Sequence, residues 1–409
     1  MTITLRMAWR NLWRHKRRTW LTVGAMVFSN LLLVFMISLQ FGSYRMMIDN
    51  SLKSYTGHMQ IQREGYNDEP KMRSSIDAII PLATKVREQL GSDTVAARGV
   101  AFAMTSSEER SYGLQLVGVE PAFEPKVSTL PGLIKQGSYF TDINAAEIVI
   151  GTILARNLRV GIGDELTLLG SGHDGSFAAG IVDVVGIFGS GIAEIDRNMA
   201  QLPIGYFQNL FGMGDKGHNI VINAAELSEV TVLQHAVMGM LAGDDKLVVL
   251  DWEILQPGLK QAIQADFTSA WFMYAVLIVL VAFSVLNTQL MSVLERTREF
   301  GVMMALGVKP ARLGGLVITE TFVMSGLGLV MGIASGLLLT GYFSQAGFTY
   351  PGMEEMADRF NLPDRMYPSI SLLSTLLGPV VVFLFSLLAS LYPALRLFFL
   401  QPVAAMRAV

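Results

Sequence analysis

Four stretches of this chain contain no Asp, Glu, Lys or Arg: residues 19–44, 267–294, 321–353 and 366–395. A helix needs roughly 20 apolar residues to cross a hydrocarbon core of about 30 Å, and each stretch is longer than that. Between residues 44 and 267 no comparable run occurs, so that segment reads as a water-soluble domain. Composition agrees, because only 16% of the chain is charged, against about 25% for an average soluble domain. A basic region precedes the first stretch, as in a secretory signal. Its apolar run is far longer than the about 7–15 residues of a signal core, and no small-x-small cleavage site follows Gln40, Phe41 and Gly42. An uncleaved anchor is expected.

The distribution of charge orients the spans. Residues 1–18 carry six basic side chains and no acid, whereas residues 45–266 carry 17 basic and 27 acidic ones. The segment 291–314 and the tail after residue 395 are each +2, and the segment 353–366 is −2. Positive flanks mark the cytoplasmic side, and the signs alternate as four crossings require. The expected layout is a basic cytoplasmic N-terminus (1–18), a first span (19–44), an extracytoplasmic domain (45–266) and a second span (267–292). A cytoplasmic loop (293–314), a third span (315–342), an outer loop (343–368), a fourth span (369–395) and a cytoplasmic tail (396–409) complete it. Both termini are expected inside. The basic N-terminal cluster adjoins a span, so topology and contact with anionic lipid account for it better than nucleic acid does.

Polar residues at membrane depth, here Ser29, Asn30 and Gln40 in the first span and Asn287, Thr288 and Gln289 in the second, are expected to meet neighbouring helices. Gly328, Gly332 and Gly336 recur every four residues in the third span and clear one face for close packing, within the chain or across a dimer. Glu320 is expected near the membrane interface, beside Arg296 or Arg312. Pro379 and Pro393 bend the fourth span.

The loop between the second and third spans carries Glu295, Arg296, Arg298 and Glu299 in one turn, followed by Val302, Met303 and Leu306 on one helical face with Phe300 beside it. Gly307 suits the position after a helix end, and Pro310 stops continuation. A short amphipathic helix near the membrane surface is expected.

The outer segment mixes strand and helix signals. Residues 147–150 read as a strand, 152–158 as a helix, 161–164 as a turn into a strand at 165–169, and 182–188 as a strand. Residues 219–223, 227–241 and 246–250 read as strand, helix, strand. The expected fold class is therefore an α-helical membrane protein with four transmembrane helices and a large, two-lobed α+β extracytoplasmic domain between helices 1 and 2.

Catalytic signals are absent. There is no cysteine, which excludes disulfides, thiol catalysis and cysteine metal sites. His15, His58, His173, His218 and His235 have no metal spacing. The run 170–176 contains Ser, His and Asp, but neighbours in sequence cannot form a triad, and it reads as a hairpin tip. No phosphate-binding loop of the G-x-x-x-x-G-K-[ST] type occurs. The 23 methionines read as core and membrane filler.

Three segments carry a family resemblance. Residues 287–302 with Ala305, Leu306 and Gly307, the opening 8–19, and the ending 392–407 resemble, in order, the MacB/FtsX-type permeases of ATP-binding-cassette transporters. The outer segment resembles more loosely the periplasmic domain of MacB and of the lipoprotein-releasing LolC/LolE-type permeases. The resemblance implies that the loop after the second span is a coupling helix, with Glu295, Arg296, Arg298, Glu299, Gly301 and Gly307 as the ATPase-coupling residues. It implies a cytoplasmic ATPase dimer that binds ATP and Mg, a second permease as homo- or heterodimer, and the bacterial inner membrane. With about 18 residues before the first span, the ATPase is expected on another chain. The expected function is release of lipoproteins or another lipophilic substrate through motion of the outer domain, alongside membrane lipids and a lipoprotein or periplasmic partner. A MacB-like drug or peptide exporter and a signal relay that activates an extracytoplasmic hydrolase are the alternatives.

Overall fold

The computed structural model describes residues 3–14, 16–241, 243–244, 246–353 and 365–400. The charge reading of 353–366, the tail 396–409 beyond residue 400, the matching ending and His15 therefore fall wholly or partly outside the described residues.

Helix α1 (Ile3–Arg14) is followed by α2 (Lys16–Ser51), which widens into a π-turn at Leu52–Thr56. Then come β1 (Met59–Arg63), α3 (Ile79–Leu90), β2 (Val95–Ser106), β3 (Ser111–Val119), α4 (Glu124–Val127), β4 (Ile134–Gly137), β5 (Glu147–Gly151) and α5 (Thr152–Leu158). The path continues through β6 (Glu165–Ser171), β7 (Phe177–Phe188), α6 (Ala193–Asn198), β8 (Met199–Pro203), α7 (Ile204–Leu210) and β9 (Asn219–Ile222). It ends with α8 (Val230–Met240), β10 (Leu247–Asp251), α9 (Trp252–Leu255), α10 (Pro257–Glu295), α11 (Thr297–Ala305), α12 (Pro310–Ala346) and α13 (Leu372–Arg396).

Two compact units result. One comprises the described residues up to Tyr44, Ala262–Tyr350 and those from Arg365 onward; the other is built on Arg45–Gln261. Four helices, starting at Lys16, Pro257, Pro310 and Leu372, are long and apolar enough to cross a membrane.

The helical unit packs along small residues. A Cβ at Gly328 would meet the Cβ of Met26 at 2.7 Å, one at Gly332 would overlap the Cβ of Asn30, and one at Gly336 would meet that of Val34 at 2.8 Å. The glycine row of α12 therefore seats α2 within the same chain, where any side chain would force the backbones apart. Asn30 donates to the Gly328 carbonyl at 3.1 Å, Thr22 to Thr288 at 3.0 Å, and Ser38 to Ser374 at 3.1 Å. Gln40 accepts from Tyr274 and donates to Tyr44. Asn287, by contrast, is exposed. Pro379 and Pro393 both lie inside α13.

The other unit is one sheet with two lobes. In the first, β10, β1, β9 and β2 run side by side in that order, all neighbours antiparallel, with α3 and α8 as crossovers. This is a split β-α-β-β-α-β unit. Its core comprises Met59, Ile61, Ile79, Val86, Ile220, Ile222, Val237 and Val249, among others. The expected strand-helix-strand at its end is present, but β1 lies between β9 and β10, a long-range pairing that local pattern does not encode. In the second lobe the pairings β2–β3, β3–β8, β8–β5, β5–β7, β7–β6 and β6–β2 close a six-stranded ring. Leu114, Leu116, Ile148, Leu166, Leu168, Val182 and Phe207 belong to its core. Strand β7 starts at Phe177, well before the apolar run at 182: Ala178, Ala179 and Gly180 carry no strand signal of their own and are held by pairing to β6.

His218 illustrates how the first lobe meets its polar groups. It is fully buried; the Val100 N–H donates to its Nδ1 at 2.9 Å, so Nε2 carries the proton toward the Met72 carbonyl at 3.1 Å. Burial, with a lesser contribution from the charge of His173, pushes its pKa down to about 4.

Two outcomes follow. Gly332→Ala should lower the thermal stability of the detergent-solubilised chain by about 1–3 kcal/mol through overpacking. Gly326→Ala, whose Cβ would meet nothing within 4 Å, should leave stability unchanged or raise it. His218 is depressed below the usual histidine value of 6.5, so between the two pKa values the unfolded chain binds the extra proton. Its contribution is thus complete above about pH 6.5 and is lost as pH falls toward 4, on the order of 3 kcal/mol in all. Denaturant unfolding of the outer unit across that range, compared with His218→Gln, measures it.

Candidate coupling site

Helix α10 breaks at Arg296 and the chain restarts as α11. The helix ends with Gly307 at φ +91°, its N–H donating to the Met304 carbonyl and that of Val308 to the Met303 carbonyl, both at 3.0 Å. That paired closure needs a left-handed residue, which glycine supplies without strain. Pro310 then opens α12 at a position where its missing N–H costs nothing.

The inward face of α11 differs from the expected one. Phe300 is fully buried in a cluster with Val293, Leu313, Val317 and Leu397, and Met303 and Met304 pack against it. Val302 and Leu306 are 45% and 81% exposed. The row that packs is therefore Phe300 with its i+3 and i+4 neighbours, while Val302 and Leu306, four apart, form an apolar strip on the outer flank.

The charged turn also divides. Arg296 is buried, its Nη1 contacting the two Glu320 oxygens at 2.9 and 3.2 Å and its Nε lying 3.4 Å from Glu299, while its guanidinium sits over the Phe300 ring. Asn11 of α1 donates to the same Glu320 at 2.7 Å. Arg14 pairs with Glu299 at 3.0 Å and Arg18 with Glu295 at 2.6 Å. Of the six coupling residues that the resemblance implies, Arg296 and Gly301 face inward, while Glu295, Arg298, Glu299 and Gly307 are exposed. Glu320 lies beside Arg296, as one of the two expected neighbours, but is buried. The cavity beside the pair, lined among others by Thr288, Gln289 and Arg296, measures about 20 Å³, room for a water and not for a solute.

Sequence reasoning missed α1 as a structural member of this site. Its signal was present: apolar Ala8 and Leu12, four apart, mark one helical face, and both are buried.

A second feature lies in the outer unit, at the end of the π-turn that follows α2. Every carbonyl from Leu52 to Thr56 is met. The donors are the Gly57 N–H at 2.7 Å, the Thr129 N–H at 2.8 Å, the Ser128 hydroxyl at 2.9 Å, the Arg98 guanidinium and the Gln60 amide at 2.6 Å, in chain order. Arg98 is itself fully buried and forked onto Glu124 at 3.0 and 2.7 Å. The Gln256 side chain, at the start of α10, accepts from Ser51 at 3.0 Å and donates to the Thr56 hydroxyl. The helix end is thereby socketed in this unit rather than left to water.

The second lobe carries an open groove of about 690 Å³ lined by Phe102, Met104, Leu114, Leu169, Ile195 and Met199 on its apolar side, with Gln115, Glu194 and Asn198 as polar members. No group of three or more His, Asp or Glu able to hold a metal occurs among the described residues. Of the other described histidines, His58 contacts Asn223, His173 contacts Ser75, and His235 contacts the Thr231 carbonyl of its own helix. Residues 172–176 form the expected hairpin tip, closed by the Gly172 N–H on the Ser176 carbonyl at 2.8 Å, with Asp174 turned onto the Ser176 N–H.

Four membrane-crossing helices, a two-lobed α+β domain inserted between the first two, and a short locked helix between the second and third define a class of multi-pass permeases. Comparison with known proteins agrees. The family described as FtsX-like permease C-terminal matches residues 271–402, and the MacB-like periplasmic core domain matches residues 19–238. The chain belongs to the MacB/FtsX family of ABC transporter permeases. It is 25% identical over 316 residues to the lipoprotein-releasing system transmembrane protein LolC of Xylella fastidiosa, covering 73% of this chain and 74% of that one. It is 26% identical over 418 residues to the macrolide export ATP-binding/permease protein MacB of Hyphomonas neptunium, covering 98% of this chain and 60% of that one. Among solved structures, the periplasmic region of MacB from Actinobacillus actinomycetemcomitans matches at 17% identity with a TM-score of 0.36, over 51% of this chain and 93% of that one.

Glu320→Leu should lower thermal stability in detergent by about 3–5 kcal/mol, because it leaves Arg296 buried and unpaired. The double variant Arg296→Met/Glu320→Leu should recover most of that loss.

Proposed function

We propose that this chain is the permease subunit of an assembly in which a separate ATPase dimer, binding ATP and Mg, presses on the exposed flank of α11. The observation that carries this reading is the division of α11. One face is locked by Phe300 and the Arg296–Glu320 pair, while Val302 and Leu306 project beside Glu295, Arg298 and Glu299. A helix fixed on one side and apolar on the other suits docking, with the charges at its rim. Force on α11 would reach α1 and α2 through Arg14–Glu299 and Arg18–Glu295. In the outer unit the socket around Leu52–Thr56 would receive it. A second permease, identical or related, completes the pair. The charge pattern supports an inner-membrane location with both termini cytoplasmic.

The substrate proposed is a lipoprotein or another lipophilic molecule. The apolar groove of the outer unit and the lipoprotein-releasing relatives support it. A MacB-like exporter is the second reading, favoured by the match to a macrolide exporter along 98% of this chain.

Leu306→Asp, and separately Glu295→Lys/Glu299→Lys, should weaken ATPase binding on the order of tenfold or more, as loss of about 2 kcal/mol at an interface hot spot implies. Pull-down of the partner ATPase and its permease-stimulated turnover measure this, with melting of the chain as the folding control. Unchanged stimulation in both variants would defeat the coupling assignment. Mass spectrometry of co-purified material then separates lipid-modified proteins from small export substrates.

A further inference from the structure

The first helix is arranged in three stripes. At 100° per residue, the buried row Ala8 and Leu12, packed toward Met324, gives way to Trp9 and Trp13 and then to Arg6 and Arg10. The tryptophans continue onto α2: Trp9 and Trp13 meet edge to face at 5.8 Å between ring centres, and Trp13 and Trp20 at 6.0 Å. Trp9 is 43% and Trp20 51% exposed.

The cations divide as well. Arg14 and Arg18 are spent on Glu299 and Glu295. Arg6, Arg10, Lys16 and Arg17 are exposed and make no ion pair among the described residues. The nearby carboxylates cannot serve them, since Glu295, Glu299 and Glu320 are all paired already. Four unpaired cations thus flank an exposed indole ladder at the mouth of a span.

We propose that α1 and the start of α2 form a binding site for the phosphate headgroups of anionic phospholipids in the leaflet α1 borders. Arg6, Arg10, Lys16 and Arg17 take the phosphates, and Trp9, Trp13 and Trp20 seat at the boundary with the acyl chains. Tryptophan suits that boundary because its ring is apolar and its N–H polar. Long basic side chains beside it reach the headgroups while their stems stay on apolar surface. An amphipathic helix with this division lies in the plane of the interface. Charge complementarity selects the anionic lipid: each cation near such a surface contributes roughly fivefold to partitioning. Because the same helix holds Glu320 through Asn11 and Glu299 through Arg14, lipid charge bears on the mount of α11.

The test uses the full chain reconstituted without any ATPase, so its result is independent of the coupling reading. Trp252→Phe/Trp271→Phe leaves Trp9, Trp13 and Trp20 as the only tryptophans. Their fluorescence is quenched with brominated phosphatidylglycerol or brominated phosphatidylcholine in mixed vesicles. The expected result is stronger quenching by the anionic lipid, lost in Arg6→Gln/Arg10→Gln/Arg17→Gln and kept in Arg6→Lys/Arg10→Lys/Arg17→Lys. Equal quenching by both lipids overturns the proposal, as does a preference unchanged by the glutamine variant. Abolition of the preference by inorganic phosphate at matched ionic strength would mean a free-phosphate site and also overturns it. So would its loss when the partner ATPase is added, since the cations would then belong to that interface.

Discussion

The hydrocarbon of a membrane offers no hydrogen-bonding partner, so every backbone N–H and C=O within it must be met by the protein itself, which a helix does inside one segment. That constraint makes the spans helices and moves the difficulty to their ends, where each helix leaves unmatched groups. This chain resolves its helix ends differently. The first span's helix runs on to a π-turn whose carbonyls are all met by donors of the outer unit, Arg98 among them. Helix α11 closes on Gly307 with two nested bonds, from the Gly307 and Val308 N–H groups to the Met304 and Met303 carbonyls. The fourth span opens with Ser371 and Ser374 capping each other.

Buried charge is handled by the same logic. Arg296–Glu320 in the helical unit and Arg98–Glu124 in the outer unit are buried pairs with further polar neighbours; Arg98 grips Glu124 through two nitrogens, whereas one nitrogen of Arg296 holds both Glu320 oxygens. Such pairs contribute little net stability compared with apolar packing, but losing one partner is severe. Each orients a particular backbone: Arg296 fixes the break between α10 and α11, and Arg98 holds the Tyr55 carbonyl.

Much of the layout was legible from local pattern. Charge-free runs longer than a bilayer mark four spans because hydrophobicity acts residue by residue. Strands at 147–150 and 165–169, the helix at 152–158 and the Gly307 stop came from short-range propensity. Among the features missed were β1, the ring closed by β6 between β2 and β7, and the true inward row of α11. In each case the deciding contact lies far along the chain: Met59 against Ile222 and Asp251, Ala103 against Gly170, Phe300 against Leu397.

By itself, the sequence determined that the chain crosses a membrane four times, carries a large folded domain after the first crossing and places a charged, glycine-closed helix after the second. Those properties depend on composition and spacing within one segment. Only the tertiary structure decided which charges of that helix are free. Arg296 and Arg298 are two residues apart and chemically alike, yet one is buried on Glu320 and the other is exposed. A residue's neighbours in space, and not in sequence, set whether its charge is spent within the fold or available to a partner.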